Sequence, residues 1–177
     1  MTTQKYRCEP IKLDYFTQAP FAFVTKTTVN ATPEEIWPIL EDAKSWSTWA
    51  SVIQKVTWTS PKPFGLGTTR TVEMSGGMVG DETFIGWEPN KRMSFCFTSA
   101  SIKGVNRFGE DWQLLPQANG QTLVQWTMAL DVALINRIFL MAFKPVMKLF
   151  LQRLLNSFQK YVNEGQFAAS QLNARNS

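Results

Sequence analysis

Apolar and polar residues alternate along Phe21–Val29, "FAFVTKTTV", and β-branched side chains are frequent there, so a period of two predicts a strand. "NATPEEIW" then reads as a helix start. Thr32 can cap, Pro33 suits the first helical position, and Glu35 completes a capping box. Pro38 removes a backbone donor and crowds the preceding turn. Two short helices are therefore expected, with the tryptophans Trp37, Trp46 and Trp49 on or beside them. Alternation returns from Val52 in "VIQKVTW", "TTRTVEM", "MVGDETFIGW", "RMSFCFTS", "RFGEDWQLL" and "TLVQWTMALDV". Turn-rich breaks separate these runs, and Asn119-Gly120 is a strong hairpin signal because both positions need positive φ. The pattern predicts an antiparallel meander of about six strands, plus the first.

The period then changes. Phe139, Phe143, Met147, Phe150, Leu154, Phe158 and Tyr161 follow steps of three and four, which marks one face of a helix. Lys144, Lys148, Arg153 and Lys160 fall between them, and Pro145 should kink or split the helix. These charges rule out a membrane span, which needs roughly 20 nearly uncharged residues. Packing on the sheet is one role for such a helix, and contact with a membrane surface is another. The chain thus divides into an N-terminal arm (1–20) on the surface, a single α+β domain (21–165) and a polar tail (166–177).

Composition narrows the chemistry. The chain has 177 residues and no histidine, which excludes Ser-His-Asp and Cys-His nucleophile systems and histidine-based metal sites. A general base would have to be a carboxylate with a raised pKa, a lowered lysine or bound water. Cys8 and Cys96 are too far apart for zinc spacing or a disulfide framework, so no metal site and no cofactor are expected. The net charge of +4 is spread thinly, without the concentrated basic stripe of a nucleic-acid binder. The N-terminal stretch lacks an apolar signal segment, so a cytoplasmic location is expected.

Several segments, "VNATPEEIWPILEDAKSWSTWASVIQKV", "GLGTTRTVEM", "FIGWEPNKRMSFCF" and "DWQLLPQANGQTLVQWTMAL", fall in the order seen in a known group. From about Val24 to Val132 the chain resembles the polyketide cyclase/dehydrase branch of the START/birch-pollen-allergen-like superfamily. That resemblance implies a helix-grip fold: a curved antiparallel sheet of about seven strands wrapped around a long C-terminal helix, with two short helices after the first strand. It also implies an apolar cavity for a lipid, sterol or polyketide-like molecule. Family members include carriers and cyclases, so the resemblance alone does not make this chain an enzyme.

Strand alternation nominates the lining. Phe108, Glu110, Trp112 and Leu114 share one face, as do Val124, Trp126, Met128 and Leu130. Trp58, Phe95 and Phe97 point inward by the same rule, whereas the Met78–Trp87 run is ambiguous because Phe84 and Trp87 fall on opposite faces. Phe143, Met147 and Phe150 are the expected helix wall. Trp46 and Trp49 would seal the cavity's end with Trp37 bracing them, unless all three are plain core. Glu110 is the candidate catalytic acid or base, or a polar anchor, with Arg70 as its expected cation. A bulge at Gly109 would instead turn Glu110 outward. Three functions follow: binding of a small hydrophobic ligand, a cyclase/dehydratase acting through a cavity carboxylate, and a protein-interaction module.

Overall fold

The structure is a computed structural model that describes residues 4–165. The expected tail lies outside the described residues. The elements in chain order are β1 (Tyr6–Arg7), α1 (Tyr15–Gln18), β2 (Phe21–Val29), α2 (Pro33–Glu41), α3 (Ala43–Trp49), β3 (Ile53–Trp58) and β4 (Thr69–Met74). They continue with β5 (Met78–Glu88), β6 (Arg92–Ala100), β7 (Val105–Pro116), β8 (Thr122–Val132), α4 (Leu134–Ala142) and α5 (Lys144–Asn163). Seven strands form an antiparallel sheet in the order β2-β8-β7-β6-β5-β4-β3. The sheet wraps the C-terminal half of α5, which is the helix-grip arrangement.

Local chemistry sets these boundaries. Thr32 and Glu35 form the reciprocal capping box at the start of α2. The break between the short helices falls at Asp42, four residues after Pro38, and the Asp42 side chain accepts from Ser45 N to cap α3. Asn119 and Gly120 take φ of 62° and 72° in the β7–β8 turn. A bulge between Phe84 and Gly86 resolves the ambiguity in β5. It brings both Phe84 and Trp87 to the inner face, with ring centroids 5.0 Å apart.

The N-terminal segment is more than a surface arm. The β6–β7 ladder ends at Cys96–Gly109, and β1 fills the gap beyond it by pairing with Ser99 and Ala100. Cys8 N donates to Thr98 O and Glu9 N to Asn106 O, so the arm bridges the two diverging strands. Ile11, Tyr15 and Phe16 then pack on the convex face against Cys96 and Ala129. Periodicity does not reveal this, because the segment is too short and irregular to show a period.

On the concave side α5 buries Leu151, Leu154, Leu155, Phe158, Tyr161 and Val162. Here the grip is solid. Trp112 is fully buried, with its ring centroid 5.5, 5.7, 5.1 and 5.5 Å from those of Trp46, Trp49, Trp126 and Phe158. The C-terminal helical region breaks in two at Phe143, and Pro145 takes the first turn of α5, where its missing donor costs nothing. From α4 through Phe150, Leu140 is buried and Met147 half-buried, while Phe139, Phe143 and Phe150 face solvent. The seven-residue stripe is therefore core only in its second half. No described helix is long and apolar enough to cross a membrane.

Gly109 shows how tightly the arm is seated. A Cβ built there would collide with Ile11 Cδ1 and approach Phe95 O to 3.0 Å. Gly109→Ala should cost ~1–3 kcal/mol through overpacking. Ile11→Ala in the same chain should recover part of that loss, as a double-mutant cycle by urea unfolding would record. Additive effects would mean that Ile11 does not sit over Gly109.

Candidate functional site

The candidate side chains form one row across the concave face. Directly paired residues of an antiparallel sheet share a face, so register alone aligns them. Trp58 opposes Arg70, Arg70 opposes Glu82, and Glu82 opposes Phe97. One inward position away on β6, Phe95 opposes Glu110, which opposes Met128 on β8.

Arg70 is the centre of this row and is 1% exposed. Its guanidinium carbon lies 4.4 Å from the Phe95 ring centroid, 4.5 Å from Trp46, 5.0 Å from Phe84 and 5.5 Å from Trp58. Ring faces carry negative potential, so this cage replaces part of the lost hydration. Nε donates to Glu82 Oε2, which forms a buried ion pair. Burial raises the Glu82 carboxyl above its ordinary range, and the Arg70 guanidinium opposes that shift. Nη1 is buried and has no hydrogen-bond partner among the described residues. A buried donor left unpaired costs ~1–3 kcal/mol, and more when charged. The position therefore calls for an oxygen atom from water or a bound molecule.

Glu110 points inward, and no bulge forms at Gly109, since the β7–β8 register shifts only between Val105 and Arg107. Its Oε2 accepts from Trp112 Nε1 at 3.1 Å and from Trp126 Nε1 at 3.0 Å. Burial, helped by the negative charge of Glu82, pushes its pKa up to about 7, against the two indole donors and Arg70. With Oε2 accepting twice, Oε1 is the oxygen left to carry the proton when the carboxyl is protonated. Arg70 is thus the partner of Glu82, not of Glu110, and it reaches Glu110 only through its field.

Burial changes along the strands. Inward residues of β7 pass from the buried Leu114 and Trp112 to the half-buried Glu110 and Phe108. On β8 Val124, Trp126 and Met128 are buried but Leu130 is half-buried, and on β4 Met74 is half-buried beyond Val72. Phe97 stacks on Phe108 with centroids 4.2 Å apart at this end. Aromatic packing fills one end of the grip and burial is less complete toward the other, with the row from Arg70 to Glu110 between them. Met147 packs against the core beside it. Phe143 and Phe150, expected in the wall, are 45% and 41% exposed. Trp58 stacks on Phe64 at 4.0 Å and donates to Glu41 O, which anchors the near side of the cage. A separate groove of about 250 Å³ lies between α3 and the end of α5, lined by Thr48, Trp49, Ser157, Lys160, Tyr161 and Glu164.

Glu82 is absent from the residues nominated by sequence, although a signal existed. The "SGG" turn pairs Met74 with Met78, and counting four residues out along each strand puts Glu82 opposite Arg70. Among the described residues no group of His, Cys, Asp and Glu is placed to hold a metal.

Residues 20–163 match a family model described as polyketide cyclase/dehydrase and lipid transport. An uncharacterised protein of Mycobacterium tuberculosis is 45% identical over 166 residues, covering 94% of this chain and 98% of that protein. Among solved structures, a START superfamily protein from Mycobacterium smegmatis superposes with a TM-score of 0.64 at 15% identity, over 81% of this chain and 97% of its own. A protein of Thermus thermophilus superposes with a TM-score of 0.64 at 18% identity, over 85% and 99%. At these identities the two structures speak for the fold.

The two acids make separate predictions. Arg70→Met or Glu82→Leu alone should destabilise the protein by ~3–5 kcal/mol, by stranding a buried charge. The double variant should recover most of that loss in chemical denaturation. Failure of the double variant to recover would mean that the pair itself holds the sheet together. For Glu110 the folded pKa of about 7 lies above the ordinary 4.5. The stability this gives is therefore complete below 4.5 and lost as pH rises through about 7. Unfolding free energies of wild type and Glu110→Gln should accordingly diverge across that window, with wild type falling. Parallel curves would place the carboxyl in ordinary solvent.

Proposed function

The chain belongs to the polyketide cyclase/dehydrase and lipid transport family, and we propose that it binds a neutral, mostly apolar small molecule by a carbonyl or hydroxyl oxygen at the open end of the grip. The observation that carries this reading is the unpartnered Nη1 of the buried Arg70, in the same row as Glu110, whose pKa is pushed up to about 7. Arg70 and Glu82 cancel in charge, and Glu110 is largely neutral below pH 7. A carboxylate or phosphate head would meet two carboxyls and one already-paired cation, so the site favours an uncharged oxygen. Phe97, Phe108, Met128, Leu130 and Met147 offer apolar walls for the rest of the ligand. A sterol, a neutral lipid or a polyketide-like ketone has this chemistry. Trp112 and Trp126 act through Glu110, whose Oε2 they hold. Both cysteines are free and buried, which suits a reducing compartment such as the cytoplasm.

One observation favours a second reading, a cyclase or dehydratase. A carboxyl that titrates near 7 can give and take a proton at neutral pH. A ketone held between Arg70 and Glu110 would be polarised for loss of an α-proton to the Glu110 carboxylate, and a hydroxyl at its β-carbon would leave as water on receiving that proton. Glu110→Gln should then lower turnover of a poly-ketone analogue by ~10²–10⁴ with little change in binding.

Binding is tested by energy transfer from tryptophan to a fluorescent aryl ketone and to its carboxylic-acid analogue of equal length. The ketone should bind saturably and more tightly than the acid. Its affinity should fall by up to about tenfold between pH 6 and pH 8, as Glu110 loses its donor. Glu110→Gln, whose amide keeps a donor, should flatten that dependence. Tighter binding of the acid, or no saturable uptake of either probe, would contradict the proposal.

A further inference from the structure

We infer that α4 and the N-terminal half of α5 form a docking face for an anionic lipid bilayer surface. Large apolar side chains are exposed on both helices: Ile138 at 67% and Met141 at 67% on α4, and Val146 at 59% and Leu149 at 53% on α5. The stacked pair Phe139–Phe143, 4.2 Å between centroids, bridges the junction and carries the apolar surface across it. Exposed apolar residues scattered singly are ordinary, but a contiguous patch of this kind marks an interaction surface.

Charge selects the occupant. From Ala133 to Asn163 the sequence contains no Asp or Glu, and it carries Arg137, Lys144, Lys148, Arg153 and Lys160. Asp131 holds Arg137 at 2.6 Å, and Glu164 lies 3.7 Å from Lys160. Lys144, Lys148 and Arg153 are exposed and make no ion pair among the described residues. The β6–β7 loop adds the exposed Ile102 and Lys103, and Ala133 N donates to Gly104 O at 2.8 Å to tie that loop to the start of α4. Apolar side chains among unpaired cations suit a bilayer interface, where the former enter the acyl boundary and the latter meet anionic headgroups. A second copy of the chain is a poor occupant, because the same unpaired cations would face one another.

The placement is also productive. α4 begins two residues after β8 ends, on the side where Phe108 and Leu130 are half-buried. Leu140 and Met147 are the points at which the docking helices touch the core. A surface engaged there lies beside the open end of the grip, although bilayer binding does not depend on the ligand proposal.

The full chain tests this by co-sedimentation with phosphatidylcholine vesicles, with and without phosphatidylserine. Binding should require phosphatidylserine and weaken at high salt. Each near-surface Lys or Arg multiplies partitioning about fivefold, so Lys144→Glu/Lys148→Glu should weaken binding by about 25-fold or more. Ile138→Ser/Leu149→Ser should also weaken it, and circular dichroism verifies that these surface variants stay folded. No sedimentation of wild type, equal sedimentation with both vesicle types, or variants that bind like wild type would overturn the inference. So would a concentration-dependent dimer in which α4 is protected from hydrogen exchange.

Discussion

A guanidinium buried among aromatic rings is the constraint on which the interior depends. Removing Arg70 from water is tolerable only with an anion at bonding distance and ring faces around it, and four elements are arranged to supply both. β5 brings Glu82 into register; α3 supplies Trp46, β3 supplies Trp58, and β6 supplies Phe95. Phe84, two residues along β5 from Glu82, adds the remaining ring. The same pair also acts on Glu110. Burial is the main cause of its raised pKa, and the negative charge of Glu82 adds to it while Arg70 opposes it.

This accounts for the division of the concave face. Tryptophans are large enough to fill the space between sheet and α5, and their N–H groups need acceptors when buried. Trp112 and Trp126 find theirs in Glu110 Oε2, and Trp46 in Leu40 O at 2.9 Å. The aromatic block thus ends in a carboxyl, and past it Phe108, Leu130 and Met74 are only half-buried. On the proposed reading, an apolar molecule would sit there and the polar row would orient it.

Elements with a clear period were legible in the sequence. Phe21–Val29 and Thr122–Val132 fall where alternation puts them, because each has one face against the core. The capping box at Thr32 and the positive-φ pair at Asn119-Gly120 were readable from side-chain chemistry alone. The arm was not, since β1 spans two residues and is held by pairing across long sequence separations. Facing in β5 was hidden by a bulge, which alternation cannot anticipate, so Glu82 could be placed only by counting out from the SGG turn. The helical stripe misled for a different reason. Spacing reports which residues share a face, but not whether anything covers it, so Phe143 and Phe150 read as lining although both are exposed. Glu110 could be nominated because a lone acid on an apolar strand face is conspicuous; its two indole donors depend on rotamers that no pattern encodes.

The central claim is that a neutral oxygen is held between Arg70 and the protonated Glu110, and the infrared band of a bound ¹³C-labelled ketone tests it most directly. The account predicts a carbonyl stretch moved to lower frequency than in hydrocarbon solvent, with part of that shift lost as pH rises through about 7. A band at its hydrocarbon position, unmoved by pH, would contradict it.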